Sequence, residues 1–162
     1  MPARCEGFGL LEALVALALT AFASLSVALL LQNALHAQGV AERRERALLL
    51  ADEMAGLIRA NAAARARYAF DGSQAAPAQP GCAATATCDA NDLATLQLGD
   101  WLQRIAHELP AEGDGPATAD ISYLAAPSAP ESMRIEVVWG EPGQEAPESL
   151  SSELLLPPLP VS

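Results

Sequence analysis

Gly7-Phe8-Gly9-Leu10-Leu11-Glu12-Ala13-Leu14-Val15-Ala16-Leu17 is the stretch that decides the fold, because it opens an apolar run of unusual length. From Ala13 to Ala41 the only ionisable side chain is His36, and no Pro or Lys interrupts the run. The segment from Ala13 to Leu35 makes about 35 Å of helix, enough to cross a hydrocarbon core of about 30 Å. A secretory signal has a shorter apolar core with a small-residue cleavage site on its far side. Here the apolar run flows into more helix, so the segment is expected to stay in the mature protein. Glu12 is the residue that asks for an explanation. A carboxylate at the edge of lipid is either a functional group with a partner or a marker of where the helix enters the membrane. The residues alone leave both readings open.

Downstream, from Ala41 to about Arg67, the pattern turns amphipathic. Ala47, Leu50, Ala51, Met54, Leu57, Ile58 and Ala62 fall on one stripe at helical spacing, with Leu48 and Leu49 outside it. One nearly continuous helix from Phe8 to about Arg67 is predicted, its first half suited to lipid and its second to packing on a small domain. Residues 71–81 read as a loop. A second helix follows, with Asp89 as N-cap, Asp92 in its first turn and Pro110 at its end. Its predicted apolar face is Leu93, Leu96, Trp101, Leu102, Ile105 and Leu109, with Gly99 weakening the middle. Beyond Gly115 the period changes to two. Asp120–Leu124 alternates, Pro127–Pro130 reads as a turn, and Met133-Arg134-Ile135-Glu136-Val137-Val138-Trp139 is the clearest strand. Leu150–Leu156 completes a third. The expected fold is α+β: a long N-terminal helix, then a small head of one short helix and an antiparallel sheet.

Charge separates the two parts. The chain has 20 acidic residues against nine basic ones, all Arg, for a net charge of −11. Only Arg104 and Arg134 lie beyond Tyr68, so the head is strongly acidic. That balance argues against nucleic acid as a partner, since phosphate binding needs clustered cations. The one basic cluster, Glu42-Arg43-Arg44-Glu45-Arg46, is diluted by its own carboxylates and reads as a solvated helix face. No nucleophile–base constellation, metal-ligand spacing or glycine-rich phosphate loop appears, so neither an enzyme nor a cofactor is expected. His36 and His107 read as ordinary helix-surface residues.

Gly7-Phe8-Gly9-Leu10-Leu11-Glu12 followed by a full-length apolar helix resembles the processing motif of type IV pilins and of type II secretion pseudopilins. Leu50-Ala51-Asp52-Glu53-Met54-Ala55-Gly56-Leu57-Ile58-Arg59-Ala60-Asn61 is similar to a stretch of the PilV group of minor pilins, also called pilus modification proteins. Cys88-Asp89-Ala90-Asn91-Asp92-Leu93-Ala94, with Trp101, resembles that group's second helix. Gly9 stands where the family commonly has Thr, and Glu6 sits beside the cleavage glycine where basic residues are usual.

The resemblance implies cleavage between Gly7 and Phe8 by a prepilin peptidase, methylation of the new Phe8 amine, and an assembly role for Glu12. In that family the carboxylate attracts the amino terminus of a neighbouring subunit. The implied organisation is a leader (1–7), a transmembrane and assembly helix (8–35), an amphipathic continuation (36–68) and an acidic periplasmic head (69–162). The implied partners are other minor and major pilins, the peptidase, and the inner membrane before assembly. Counting Arg43, Arg44 and Arg46 against Arg4 by the positive-inside rule gives the opposite orientation, and the processing motif is preferred here. With Cys5 in the leader, Cys82 and Cys88 remain as an even pair, and a disulfide is favoured over free thiols or metal. A type II secretion pseudopilin is the nearest alternative. A single-pass periplasmic enzyme or sensor with an uncleaved anchor, and an adhesin-like binding module, are alternatives of other classes.

Overall fold

Among the described residues, two α-helices, a short 3₁₀ helix and a three-stranded antiparallel sheet make up the regular structure, in the α+β arrangement expected from the sequence. The structure, a computed structural model, describes residues 8–80, 87–111, 115–124 and 131–156. Residues 1–7, expected to be a leader, together with Cys82 and the expected turn at Pro127–Pro130, lie outside the described residues. The chain divides into two units, Met1–Ala41 and Glu42–Ser162.

Helix α1 runs from Phe8 to Ala60. In the first unit it makes no core: every described side chain from Gly9 to Gln38 is exposed. The hydroxyls within the apolar run are satisfied by the helix itself. Thr20 donates to the Leu17 carbonyl at 2.9 Å, Ser24 to Thr20 at 2.8 Å and Ser26 to Phe22 at 2.9 Å. Back-bonding of this kind removes the cost of carrying a hydroxyl into an apolar medium.

In the second unit the same helix buries a stripe. Ala47, Leu50, Ala51, Met54, Ala55 and Ile58 are all at most 4% exposed. Leu57 packs against this core from its edge, and Leu48 and Leu49 face outward. The helix stops at Ala60, short of the expected Arg67. Asn61 takes φ −114°, ψ 50°, and a 3₁₀ helix over Ala62–Tyr68 follows. Its side-chain amide explains the stop: Nδ2 donates to the Ala90 carbonyl at 2.7 Å and to Tyr68 Oη at 3.3 Å. Asn competes with helix through such side-chain contacts, and here one acceptor lies 29 residues on and the other at the end of the 3₁₀ helix that follows.

Helix α2 spans Ala90–Glu108. The Asp89 carboxylate caps it as expected, accepting from the backbone N–H of Asn91 and Asp92, each at 2.8 Å. Its buried face is Ala94, Leu98, Gly99, Trp101, Leu102 and Ile105. This corrects the sequence-based face at two places, since Leu93 is 38% exposed and Leu96 is half-buried. At about 100° per residue Leu93 projects about 100° and Leu96 about 160° from Ala94, outside the buried arc. Small residues that fit the arc displaced larger ones that do not.

The sheet order is β1 (Thr118–Leu124), β2 (Ser132–Trp139), β3 (Glu148–Leu155). The register pairs Ile121 with Ile135 and Ile135 with Ser152, which puts Met133, Ile135, Val137 and Trp139 on the core face. Phe70 extends the sheet beyond β1 by exchanging both backbone hydrogen bonds with Ile121, at 2.9 and 2.8 Å. Two residues on, Gly72 crosses so close that a Cβ would lie 2.8 Å from the Ala119 carbonyl oxygen. Only glycine fits there. Both indoles, Tyr68, Met54 and the central strand meet in one core.

Candidate functional site

The predicted site residues fall on three places in the chain. Phe8 opens α1, and Glu12 lies one turn further along the same helix. Gly7 lies outside the described residues. Glu12 is exposed, and among the described residues it is the only carboxylate before Glu42. The segment around it has a mean hydropathy of 2.5 over its most apolar window, none of that window buried. The helix is therefore long and apolar enough to cross a membrane. Burying an ionised carboxylate there costs several kcal/mol unless a cation meets it. A positive amine at the head of the same kind of helix is a chemical match for such a group.

Cys88 is disulfide-bonded, and its partner sulfur lies outside the described residues. The half-cystine sits immediately before the Asp89 cap, so the bridge is anchored at the start of α2. His36 and His107 are both exposed on helices. Among the described residues no group of three or more His, Cys, Asp or Glu side chains is placed to hold a metal. A mostly apolar cavity of about 500 Å³ lies between the 70–76 segment, α2 and residues 115–118. Among the described residues its lining carries no charged side chain, and Thr118 supplies a hydroxyl.

The head is tied together by ion pairs that sequence reading did not find. Arg43 pairs with Glu141, whose side chain is 1% exposed. Nε donates to Oε1 at 3.0 Å and to Oε2 at 3.1 Å, and Nη2 donates to Oε2 at 2.6 Å. The Trp139 indole adds a fourth hydrogen bond, from Nε1 to Oε1 at 3.1 Å. The guanidinium pKa is raised above its ordinary value, chiefly by hydrogen bonding to Glu141. The solvated-face reading of the Glu42–Arg46 cluster thus fails at Arg43, while Arg44 and Arg46 are exposed as expected. Nothing in the local pattern signals a partner 98 residues away.

Two further pairs join distant segments. Arg104 on α2 donates to Glu53 on α1, Nη1 to Oε2 at 2.7 Å and Nη2 to Oε1 at 2.5 Å. Arg65 of the 3₁₀ helix pairs with Glu131, just before β2. Near them, the Tyr68 hydroxyl donates to Gln97 Oε1 and accepts from Asn61, and burial pushes its pKa up.

Comparison with protein-family models, with curated proteins and with solved structures returns no match to this chain. The functional reading therefore stands on the residues and their arrangement.

Proposed function

We propose that the chain is a minor type IV pilin, most similar to the PilV group. In this reading a prepilin peptidase cuts between Gly7 and Phe8, the Phe8 amine is methylated, and the subunit leaves the inner membrane to join a filament or its initiating complex. The head lies in the periplasm, and neighbouring minor and major pilins are the partners. A structural rather than catalytic role follows from this reading.

The observation that carries the proposal is the single carboxylate, Glu12, one turn inside an exposed apolar helix that begins at Phe8. Leu or Ala would serve a pure anchor better. The carboxylate becomes useful once cleavage creates a positive amine for it to meet on a neighbouring subunit. Two unit charges about 4 Å apart attract by roughly 4 kcal/mol at an effective dielectric near 20, before desolvation is subtracted. A fraction of that, added to helix packing, favours one axial register over others. The α+β head on a continuous apolar helix supports the same reading.

The test compares Glu12→Leu with the parent by membrane fractionation, recovery of sheared filaments and pull-down of partner pilins. The expected result is normal insertion and head folding with impaired recovery in filaments, and a milder defect for Glu12→Asp. Equal recovery of Glu12→Leu and parent would remove the charge pairing from the account. The same helix chemistry would serve a type II secretion pseudopilin, and gene neighbourhood separates the two machines.

A further inference from the structure

The two edges of the sheet are finished differently. Beside β1, Phe70 takes both outward backbone groups of Ile121, and Gly72 crosses close to the Ala119 carbonyl. Beside β3 there is no such cover: among the described residues it pairs with β2 alone. Which of its groups stay open follows from the register. The Leu156 N–H donates to the Glu131 carbonyl at 2.9 Å, so Leu156 is turned toward the β2 side. Hydrogen-bonded positions alternate along an antiparallel ladder. Leu154, Ser152, Leu150 and Glu148 therefore face β2, whereas Ser149, Ser151, Glu153 and Leu155 aim their N–H and C=O groups outward. Ile121 gives the same answer independently. It faces Phe70, which leaves its opposite residue, Ile135, facing β3.

This edge is unguarded. Natural edges are blunted by Pro, Lys or a bulge. β3 contains neither residue, and its pairing with β2 runs without a break from Glu148 to Leu155. Pro147 and Pro157 bound the open stretch. Leu150 packs on the core but is only half-buried, whereas Val137 opposite it is fully buried. The inner face therefore lacks a neighbour on that side. Charge gives the neighbour's sign. Glu148, Glu153 and, across from Ser151, Glu136 flank the edge, against Arg134 as the one cation on these two strands. A second copy would bring the same carboxylates and another strongly acidic head.

We propose that β3 is a docking edge that takes one extended, cationic segment of a partner protein as a fourth strand. The outward groups of Ser149, Ser151, Glu153 and Leu155 bind the backbone of the guest. Alternation divides the work of its side chains: those on the core face cover Leu150, and those on the outer face meet Glu136 and Glu153. This inference concerns the head and does not rest on the filament reading.

The experiment uses the full chain in uncharged detergent micelles and two blocked peptides, Lys-Val-Lys-Val-Lys-Val-Lys and its counterpart with Glu in place of Lys. Binding and amide hydrogen exchange are measured for the parent, Ser151→Pro and Glu153→Lys. Ser151→Pro deletes an outward N–H and leaves the β2 ladder its bonds, a position where an edge strand tolerates Pro. Expected with the Lys peptide is exchange on the order of tenfold slower or more at Ser149, Ser151, Glu153 and Leu155. The Glu peptide gives no such protection, and both variants bind the Lys peptide on the order of tenfold more weakly. Unprotected amides in the parent, or equal protection by the Glu peptide, overturn the docking edge. Equal binding by either folded variant does the same, and Glu153→Lys decides alone if Ser151→Pro does not fold. Protection of these amides without peptide in a parent that dimerises also overturns it, because the edge then belongs to a second copy.

Discussion

The indole N–H of Trp101 donates to the backbone carbonyl of Leu50 at 2.8 Å, fastening α2 to the backbone of α1 inside the core. Trp101 is fully buried, and Ala47 and Ala51 beside Leu50 are also fully buried. Alanines at these positions keep the α1 surface low enough for a side chain from another helix to reach a mid-helix carbonyl. Trp101→Phe removes the donor and part of the ring, with an expected loss of about 1–3 kcal/mol. Trp101→Ala adds a large cavity, with an expected loss of about 3–5 kcal/mol. Urea unfolding of the detergent-solubilised protein, followed by Trp139 fluorescence, measures both. A loss below half a kcal/mol for Trp101→Ala would show that the indole is not an anchor.

The exposed pair Glu53–Arg104 should behave differently despite its short contacts. Its side chains are 39% and 42% exposed, so solvent and salt screen the attraction. Arg104→Gln is expected to cost under about 1 kcal/mol, and less at high salt. The same unfolding assay at two ionic strengths checks this.

Alkaline pH offers a probe of the region where α1 ends. Burial raises the Tyr68 pKa above its ordinary 10.0, and Tyr123 moves the same way for the same first cause. A raised folded pKa gives stability that is fully present below the unfolded value and is lost as pH rises through the folded one. Head stability should therefore be level up to about pH 10 and fall above it. Tyr68→Phe should reduce that alkaline slope while costing about 1 kcal/mol at neutral pH through the lost bonds to Asn61 and Gln97. An unchanged slope would assign the alkaline loss to other groups.

The disulfide prediction pairs Cys88 with Cys82. A loop this short gains on the order of 2 kcal/mol in the chain-entropy model. Cys82→Ser should leave one alkylatable thiol at Cys88 and lower head stability modestly, without abolishing folding. Alkylation of the detergent-solubilised protein, prepared without reductant, is the check. Two freely alkylated thiols in the parent would contradict the pairing.

Much of the fold was legible because local chemistry and global packing agree. Asp89 before an apolar face and Pro110 after it mark α2 by rules that act within a few residues. The alternation of Met133, Ile135, Val137 and Trp139 marks β2 for the same reason. The rest depends on partners that the local pattern does not name. Asn61 ends α1 because the Ala90 carbonyl, 29 residues on, and the Tyr68 hydroxyl are there to take its amide. Arg43 leaves the solvated face because Glu141 waits in a hairpin turn. Leu93 and Leu96 belong to the apolar set of α2 by residue type, and only the arc set by Ala94, Leu98 and Ile105 shows which side is buried. The apolar helix was legible from composition, and Glu12 was found there as a lone carboxylate.

The central claim is that the chain is processed at Gly7–Phe8 and only then assembles. Intact-mass and N-terminal peptide mass spectrometry of the protein from a host with an active prepilin peptidase tests it most directly. The account predicts a mature chain that begins at Phe8 and carries one added methyl group on its amine. A mature protein that retains Met1 to Gly7 would contradict it.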